Sequence, residues 1–219
     1  MSKKQFIVIG LGRFGNALAK TVYELGHDVL AIDMDEQKVQ NIADDVTHAV
    51  QMDATDENAL KTVGLRNFDV AVVTIGSDIQ SSIMATLLAK EMGVSFIIAK
   101  ARSEQHAKVL SKIGADKVIL PEQDMGVRVA HNLVSSNILD YIELSSEYSI
   151  MEIEALEEWA GKNLKELELR KKYGINIVAI KDGKKVSVSP KADAVVNKND
   201  IVVALGSVSD LRKLEKILA

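Results

Sequence analysis

The sequence predicts an α/β protein: an N-terminal doubly wound, Rossmann-like parallel sheet, then a crossover or dimerisation helix and a small C-terminal α+β domain. Short apolar runs alternate with helical patterns from residue 5 to about 120, as right-handed βαβ crossovers require. Gly10, Gly12 and Gly15 follow the first run with the spacing of a tight strand-to-helix turn. After residue 140 the alternation ends, which indicates a second domain of another class.

Composition excludes several classes of protein. Of the 219 residues, 47% are hydrophobic and 26% are charged, as in an ordinary globular protein. The formal net charge of −4 argues against a nucleic-acid binder, because phosphate neutralisation needs a concentrated basic surface. The absence of cysteine excludes disulfides, iron–sulfur clusters and thiolate zinc sites. Neither a leader nor a run of about 18 apolar residues is present, so we expect a cytosolic protein.

The first domain, residues 1–122, is predicted to contain six strands with helices between them. The strands are the apolar runs 6–10, 28–33, 48–53, 69–76, 96–101 and 117–121. A first helix ends at Gly26, and apolar residues at helical spacing place others at 35–45, 57–63, 79–92 and 104–114.

Residues 123–140 are predicted to link the domains, with one helix over 123–139. At 100° per residue, its apolar side chains span roughly 220° of the circumference, more than one-sided packing needs. They are Met125, Val127, Val129, Ala130, Leu133, Val134 and Ile138, and the polar stripe is Asp124, Arg128, His131, Asn132, Ser135 and Ser136. The helix is therefore either buried between the two halves of one chain or seals a dimer.

The second domain, residues 141–219, has the pattern of a small α+β fold. Strands are predicted at 140–145, 148–155, 176–189 and 200–206, and short helices at 161–169 and 209–218. The third strand segment contains a hairpin turn over 181–184, with Asp-Gly at its centre.

The glycine spacing has the context that nucleotide binding requires, since it follows a strand and opens a helix. The N–H groups at the start of that helix are free to bind a phosphate. Asp33 ends the second strand, where a carboxylate binds both ribose hydroxyls and repels a 2′-phosphate. We therefore predict NAD, ADP or ATP rather than NADP. The alternative is a glycine turn without a ligand.

Arg13 lies inside the turn, where a dinucleotide needs no side-chain cation. A guanidinium there suits further negative charge, such as a third phosphate, and can reach across a subunit interface. The alternative is a solvent-exposed arginine at a helix start.

Residues at the carboxyl ends of neighbouring strands share one crevice, where such sheets bind ligands. The candidate site is Gly10, Gly12, Arg13, Phe14, Gly15, Asp33, Met34, Asp53, Ala54, Thr55, Thr74, Ile75, Gly76, Lys100 and Glu122. Lys100 is a plausible phosphate partner, whereas Asp53 and Thr55 can equally cap a helix. Glu122 either binds a divalent cation together with the phosphates or is a first-turn acid that stabilises its own helix.

No catalytic residues are predicted. His27, His48, His106 and His131 are scattered without ligand or triad spacing. We expect His106 and His131 on a surface or an interface. A dehydrogenase needs a proton donor and room for a substrate, and neither is visible.

Several segments together resemble one family across nearly all 219 residues. They are "FIVIGLGRFG", "AIDMDEQKV", "DATDENAL", "GLRNFDVAVVTIG", "KIGADKVILPEQDMG" and "LRKKYGINIVAIK". The chain is similar to the cytosolic gating (RCK) subunits of Ktr/Trk-type potassium uptake systems, most closely to the Ktr peripheral subunits.

This resemblance implies an octameric ring of four dimers on the cytoplasmic face of a membrane potassium translocator. ATP and ADP would compete for the Rossmann site and drive different ring shapes. The family's glycine-turn arginine corresponds to Arg13, its ribose-binding acid to Asp33 and its cation-binding glutamate to Glu122, with Mg²⁺ or Ca²⁺ as the cation.

Some members of the family bind cyclic di-AMP between two C-terminal domains. The corresponding residues here are Arg170 for a phosphate, Asn176 for an adenine edge, Ile175 and Ile177 for apolar contact, and Pro190 at the border. Without the family, the Arg-Lys-Lys cluster that begins at Arg170 is an ordinary solvated surface.

The leading hypothesis is a regulatory subunit without enzymatic activity. A small NAD(H)-binding oxidoreductase or redox sensor would share Gly10, Gly12, Gly15 and Asp33 but has no use for Arg13. A plain oligomerisation module with a residual nucleotide is the third possibility.

Overall fold

The computed structural model describes residues 2–134 and 138–218. The chain divides into two compact units, Met1–Glu122 and Gln123–Ala219. Among the described residues, none of the helices is long and apolar enough to cross a membrane.

The first unit is a doubly wound parallel sheet, which confirms the predicted fold class. Its described strands are β1 (Gln5–Ile9), β2 (Asp28–Asp33), β3 (His48–Gln51), β4 (Val70–Val73), β5 (Phe96–Lys100) and β6 (Lys117–Ile119). They lie in the order β3-β2-β1-β4-β5-β6, and every neighbouring pair is parallel. From β1 the chain adds β2 and β3 on one side of the sheet, and then β4, β5 and β6 on the other side. The boundary between β1 and β4 is the switch point where such sheets bind ligands.

Helices cover both faces of this sheet. They are α1 (Arg13–Glu24), α2 (Glu36–Ile42), α3 (Glu57–Thr62), α4 (Ile79–Glu91) and α5 (Glu104–Lys112). Successive side chains of β1 enter two different cores: Ile7 and Ile9 lie in one, and Val8 lies in the other. Burial on both faces explains why the strands are continuous apolar runs rather than alternating patterns.

Helices α2 to α5 of the first unit begin at side-chain caps that the sequence supplies. The side chains of Asp35, Asp56, Asp78 and Ser103 accept backbone N–H bonds at the starts of α2, α3, α4 and α5. Asp56, rather than the pair Asp53 and Thr55, caps α3. The alternative that Asp53 and Thr55 form a helix cap is therefore wrong.

Helix α6 spans Pro121–Val134, earlier than the predicted 123–139. Pro121 is the first helical residue, where a missing N–H costs nothing, so the predicted strand 117–121 ends at Ile119. Ile138 is not helical, because it begins strand β7 (Ile138–Glu143), which pairs with β8 (Tyr148–Glu154). Ser135 and Ser136 lie outside the described residues.

Part of the predicted apolar arc of α6 is exposed. Within the structure, Met125, Val127, Val129 and Leu133 are 53%, 46%, 45% and 80% exposed, respectively. Burial between domains and sealing of a dimer both stay predictions.

The second unit is built on an antiparallel sheet, in agreement with the predicted α+β class. After β7 and β8, its described strands are β9 (Lys162–Asn163), β10 (Asn176–Asp182), β11 (Lys185–Val188), β12 (Val195–Val196) and β13 (Ile201–Ser207). The main sheet has the order β11-β10-β13-β8-β7, and β9 pairs with β12 separately. The hairpin pairs Asp182 with Lys185, so Gly183 and Lys184 form its two-residue turn.

The predicted helix 161–169 is replaced by three shorter elements. Residues Lys162–Asn163 form β9, and α7 (Leu164–Leu167) and α8 (Leu169–Tyr173) follow. Glu168 separates the two helices in the left-handed conformation, with φ of 47°. The Asn163 side chain caps α7 in a capping box with Glu166. Helix α9 (Val208–Leu218) ends the described chain.

An ion pair joins α6 to the antiparallel sheet of the second unit, and a second ion pair lies within that sheet. Asp140 and Glu152 lie directly opposite each other on β7 and β8, which is unfavourable for two like charges. The Arg128 Nε donates to Asp140 Oδ1 at 2.7 Å, and Lys181 forms an ion pair with Glu152. The hydrogen bond from Arg128 lowers the pKa of Asp140. The two cations therefore offset the repulsion between the carboxylates.

Candidate nucleotide-binding site

The first glycine of the turn is required by its backbone. Gly10 has φ of 99°, a conformation that glycine adopts without strain, and its N–H donates to the Ile32 carbonyl at 2.7 Å. A Cβ at Gly10 would lie 2.9 Å from the Ile75 nitrogen. The turn therefore lies directly against the segment that follows β4.

The other two glycines have different roles. A Cβ at Gly15 would lie 1.9 Å from the Gly10 oxygen and 2.4 Å from Thr74 Oγ1. At Gly12, by contrast, a Cβ would meet no atom within 4 Å. Gly15 thus permits close packing of α1 on the strands, whereas Gly12 leaves open the space through which a phosphate would approach.

The N-terminus of α1 is suited to an anion. Gly12 is the N-cap residue, and neither a side-chain cap bond nor an acidic residue is present in the first turn. The exposed Arg13 is the first helical residue. Unpaired N–H groups and the positive end of the helix dipole therefore lie at the residue that carries the guanidinium.

Asp33 is fixed beside the glycine turn. Its Oδ2 accepts from the Leu11 N–H at 2.6 Å, and its Oδ1 accepts from the Asp35 N–H at 2.9 Å. Only 11% of its side chain is exposed. Because both bonds come from the backbone, the carboxylate is held in one orientation at the end of β2.

The polar side chains that follow β3 and β4 form hydrogen bonds within the protein. Asp53 Oδ1 accepts from the Thr55 N–H at 2.8 Å and from its hydroxyl at 2.7 Å, which fixes the turn around the buried Ala54. The buried Thr74 hydroxyl donates to the Ile9 and Gly10 carbonyls. Thr74 therefore braces the glycine turn. Met34, in contrast, is 62% exposed.

Lys100 and Glu122 meet at this crevice. Lys100 Nζ forms an ion pair with Glu122 Oε1, and this hydrogen bond lowers the pKa of Glu122. The same ammonium lies 6.0 Å from the centroid of the Phe14 ring, and a Cβ at Gly76 would be 3.6 Å from it. A second cation thus lies beside the first turn of α1. Of the two predicted alternatives for Glu122, its place in the first turn of α6 is observed.

The structure describes no cluster of three or more His, Cys, Asp or Glu side chains that would hold a metal by themselves, in residues 2–134 and 138–218. Glu122 as a cation ligand therefore stays a prediction that depends on phosphate oxygens completing the coordination.

His106 is buried, and not on a surface or an interface as predicted. Its side chain is 4% exposed on α5, and its Nδ1 accepts from the Arg102 N–H at 3.3 Å. Burial, and secondarily the charge of Arg102, lowers its pKa. His106 and Leu110 are four residues apart on one helix face, a signal that could have placed both in the core. His131 belongs to the residues whose side chains are not described.

Two cations near the crevice were missed by the sequence analysis. Lys38 Nζ lies 3.4 Å from both carboxylate oxygens of Asp33. Arg102 Nη1 donates to the Ser77 carbonyl at 3.4 Å, and its charge contributes to the lowered pKa of Glu122. Lys38 follows Asp33 by five residues on the next helix, so its spacing offered a signal, whereas Arg102 meets Ser77 through the fold alone.

The predicted cyclic di-AMP residues differ in their exposure. Arg170 is exposed on α8, Asn176 is exposed at the start of β10, and Ile177 and Pro190 are half-buried. Ile175 differs from the prediction: it is 1% exposed and packs into the core of the second unit. It therefore offers no surface to a ligand in this unit.

Comparison with known proteins gives the family. A profile of the TrkA-N domain matches residues 6–121, and one of the TrkA-C domain matches residues 149–219. The Ktr system potassium uptake protein C of Bacillus subtilis (strain 168) is 54% identical over 214 residues, which is 98% of this chain and 97% of that protein. The chain belongs to the family of Ktr system potassium uptake proteins. The resemblance found in the sequence is thereby confirmed.

Two solved structures of GsuK are similar to this Ktr-family chain. The crystal structure of the GsuK RCK domain matches 100% of this chain and 48% of its own, with a TM-score of 0.70 and 17% identity. That likeness shows the fold. The crystal structure of GsuK bound to ADP matches 59% of this chain and 33% of its own, with a TM-score of 0.51 and 28% identity. The Ktr-family chain therefore spans about half or less of these structures.

Proposed function

We propose that this chain is a nucleotide-sensing regulatory subunit of a potassium uptake system. The observation that carries the proposal is the pair of cations at one helix start: Arg13 begins α1, and Lys100 lies beside the same turn. Together with the fixed Asp33 carboxylate, they suit a ribonucleotide with several phosphates. Similarity to Ktr uptake proteins and to ADP-bound GsuK supports the same assignment.

Regulation would depend on the number of phosphates. ATP and ADP would compete for the site, and a third phosphate would reach Arg13, in the same subunit or across a dimer. A ligand shifts a conformational equilibrium only by its differential affinity for the two states. The contact of Arg13 with the third phosphate would supply that difference, with Glu122 and a divalent cation such as Mg²⁺ or Ca²⁺ beside it.

The assembly we propose is a ring of eight subunits, formed by four dimers, bound to the cytoplasmic face of a membrane potassium translocator. The exposed apolar residues of α6, among them Met125 and Leu133, support a dimer contact along this helix. We propose no enzymatic activity for the chain.

Replacing Arg13 by alanine is expected to bring the ATP and ADP affinities together, with about a tenfold loss for ATP and a smaller loss for ADP, because a charge-assisted contact with the third phosphate disappears. Calorimetry on nucleotide-free protein gives both affinities, and potassium uptake in cells gives the functional response. The exposed Arg66 of the first unit, changed to alanine, is the matched control.

An unchanged preference for ATP over ADP in the Arg13→Ala protein, with normal potassium uptake, would contradict the mechanism. Micromolar binding of NADH with negligible binding of ATP to the wild-type protein would instead favour the alternative, an NAD(H)-binding oxidoreductase or redox sensor. If a nucleotide binds but has no effect on potassium uptake, the chain would be a plain oligomerisation module, the third possibility.

We also propose cyclic di-AMP as a second ligand, bound between two C-terminal units. Support comes from the exposed guanidinium of Arg170 and the exposed amide of Asn176, which suit a phosphate and an adenine edge. A binding isotherm with cyclic di-AMP is expected to show saturation for the wild type and at least about a tenfold loss for Arg170→Ala. If the wild-type protein does not bind cyclic di-AMP, the proposal of this second ligand is wrong.

A further inference from the structure

A lysine outside the predicted site shares the carboxylate of Asp33. Lys38 lies on α2, and its Nζ is 3.4 Å from both Asp33 oxygens and 3.7 Å from Asp35 Oδ2. We propose that Lys38 is a positioning residue for ribose recognition: its charge offsets the negative charge around the Asp33 carboxylate, which would bind the 2′- and 3′-hydroxyls of an adenine nucleotide. The inference rests on the proposed nucleotide site and adds a residue to it.

The hydrogen bonds of Asp33 leave room for this role. A carboxylate has about four acceptor positions. The Leu11 and Asp35 N–H groups occupy one position on each oxygen at 2.6 and 2.9 Å. At 3.4 Å, Lys38 is beyond the usual range of about 2.7–3.2 Å for a strong N–H···O bond. The lysine thus supplies charge without occupying the short positions that a ribose diol needs.

The charges around Asp33 show why a cation is needed there. Asp33, Asp35 and Glu36 lie within four residues, and Asp35 uses its Oδ1 to cap α2. The ligand proposed for this site carries further negative charge on its phosphates. Among the described residues, Lys38 is the side-chain cation paired with Asp33, so its removal would leave the carboxylate in this negative field with its backbone donors. Since its side chain is 11% exposed, water would screen the repulsion only partly.

Local structure determines that Lys38 reaches Asp33. The Asp35 side chain accepts from the Gln37 and Lys38 N–H groups, which starts α2 two residues after β2 ends. Lys38 is thereby held on the first turn, facing back towards the strand end. Its own side chain stays 44% exposed, so it can move slightly when the diol binds.

The test compares ADP with 2′,3′-dideoxy-ADP by calorimetry on wild-type protein, Lys38→Met and Lys38→Arg. We expect Lys38→Met to lose about fivefold in ADP affinity but little affinity for the dideoxy nucleotide, since a partly exposed ion pair contributes modestly. The preference for the intact diol should therefore shrink, and Lys38→Arg should restore it in part. Lys61→Met, which removes an exposed ion pair with Glu57 on α3, is the matched control.

Each other outcome is decisive. Equal losses for both nucleotides, or no loss for ADP, would overturn the positioning role while leaving the nucleotide site intact. A wild-type protein that binds neither ADP nor ATP would contradict the proposed function, and the inference with it. Thermal unfolding of each variant shows whether a loss reflects folding, which we do not expect for a lysine whose side chain is 44% exposed.

Discussion

Replacement of Gly15 by alanine is expected to lower the free energy of unfolding of the first unit by about 3 kcal/mol and to abolish nucleotide binding. The added Cβ would lie 1.9 Å from the Gly10 oxygen and 2.4 Å from Thr74 Oγ1. Neither atom can move freely, because the Thr74 hydroxyl donates to that same carbonyl and Thr74 is buried. Helix α1 would have to shift away from the sheet, and the phosphate-binding turn with it.

Chemical unfolding followed by circular dichroism measures this effect, with Gly12→Ala as the matched control. Gly12 has φ of −63° and ψ of −179°, which alanine also adopts, and a Cβ there meets no atom within 4 Å. Stability should therefore change by at most about 1 kcal/mol, the cost of alanine at a helix N-cap. Nucleotide affinity should still fall, because the methyl group occupies the approach to the helix start. Equal destabilisation by the two substitutions would contradict this account of the turn.

Asp33→Asn is expected to reduce the affinity for ADP and ATP by about 10- to 100-fold, since hydrogen bonds to a charged acceptor contribute about 1.5–3 kcal/mol. Asparagine keeps the shape but has a single acceptor oxygen. That oxygen cannot serve the Leu11 N–H, the Asp35 N–H and the ribose diol together. The substitution therefore removes the diol contact and loosens the glycine turn.

The measurement is calorimetry with ADP, ATP and 2′,3′-dideoxy-ADP, and the control is Asp44→Asn on the exposed 3-10 turn after α2. Dideoxy-ADP should lose less affinity than ADP, because only ADP presents the hydroxyls that Asp33 would bind. An Asp33→Asn protein with unchanged affinity for ADP would show that the carboxylate serves the turn and not a ligand.

Some predictions succeeded because the signal was local. The strand and helix alternation of the first unit follows from residue periodicity, and the doubly wound sheet follows from that alternation. The roles of Gly10 and Gly15 follow from a spacing that fits one kind of turn. The end of β2 also placed Asp33 beside the turn, where its carboxylate is found.

Other predictions failed where neighbours in space outweighed periodicity. Ile138 and Leu139 were predicted to end the helix over 123–139, yet they begin strand β7, which pairs with β8. His106 was assigned to a surface or an interface, although α5 packs it into the core. Ile175 was assigned to a ligand by family position, although it lies in the core of the second unit.

The sequence by itself determined the fold class, the family and the glycine turn with Arg13 and Asp33, because each of these is encoded by residues close together along the chain. The tertiary structure alone decided the ion pair of Lys100 with Glu122, the bracing of the turn by Thr74 and the burial of His106. These contacts join residues on different strands and helices. Their partners are set by strand order and helix packing, which no local pattern specifies.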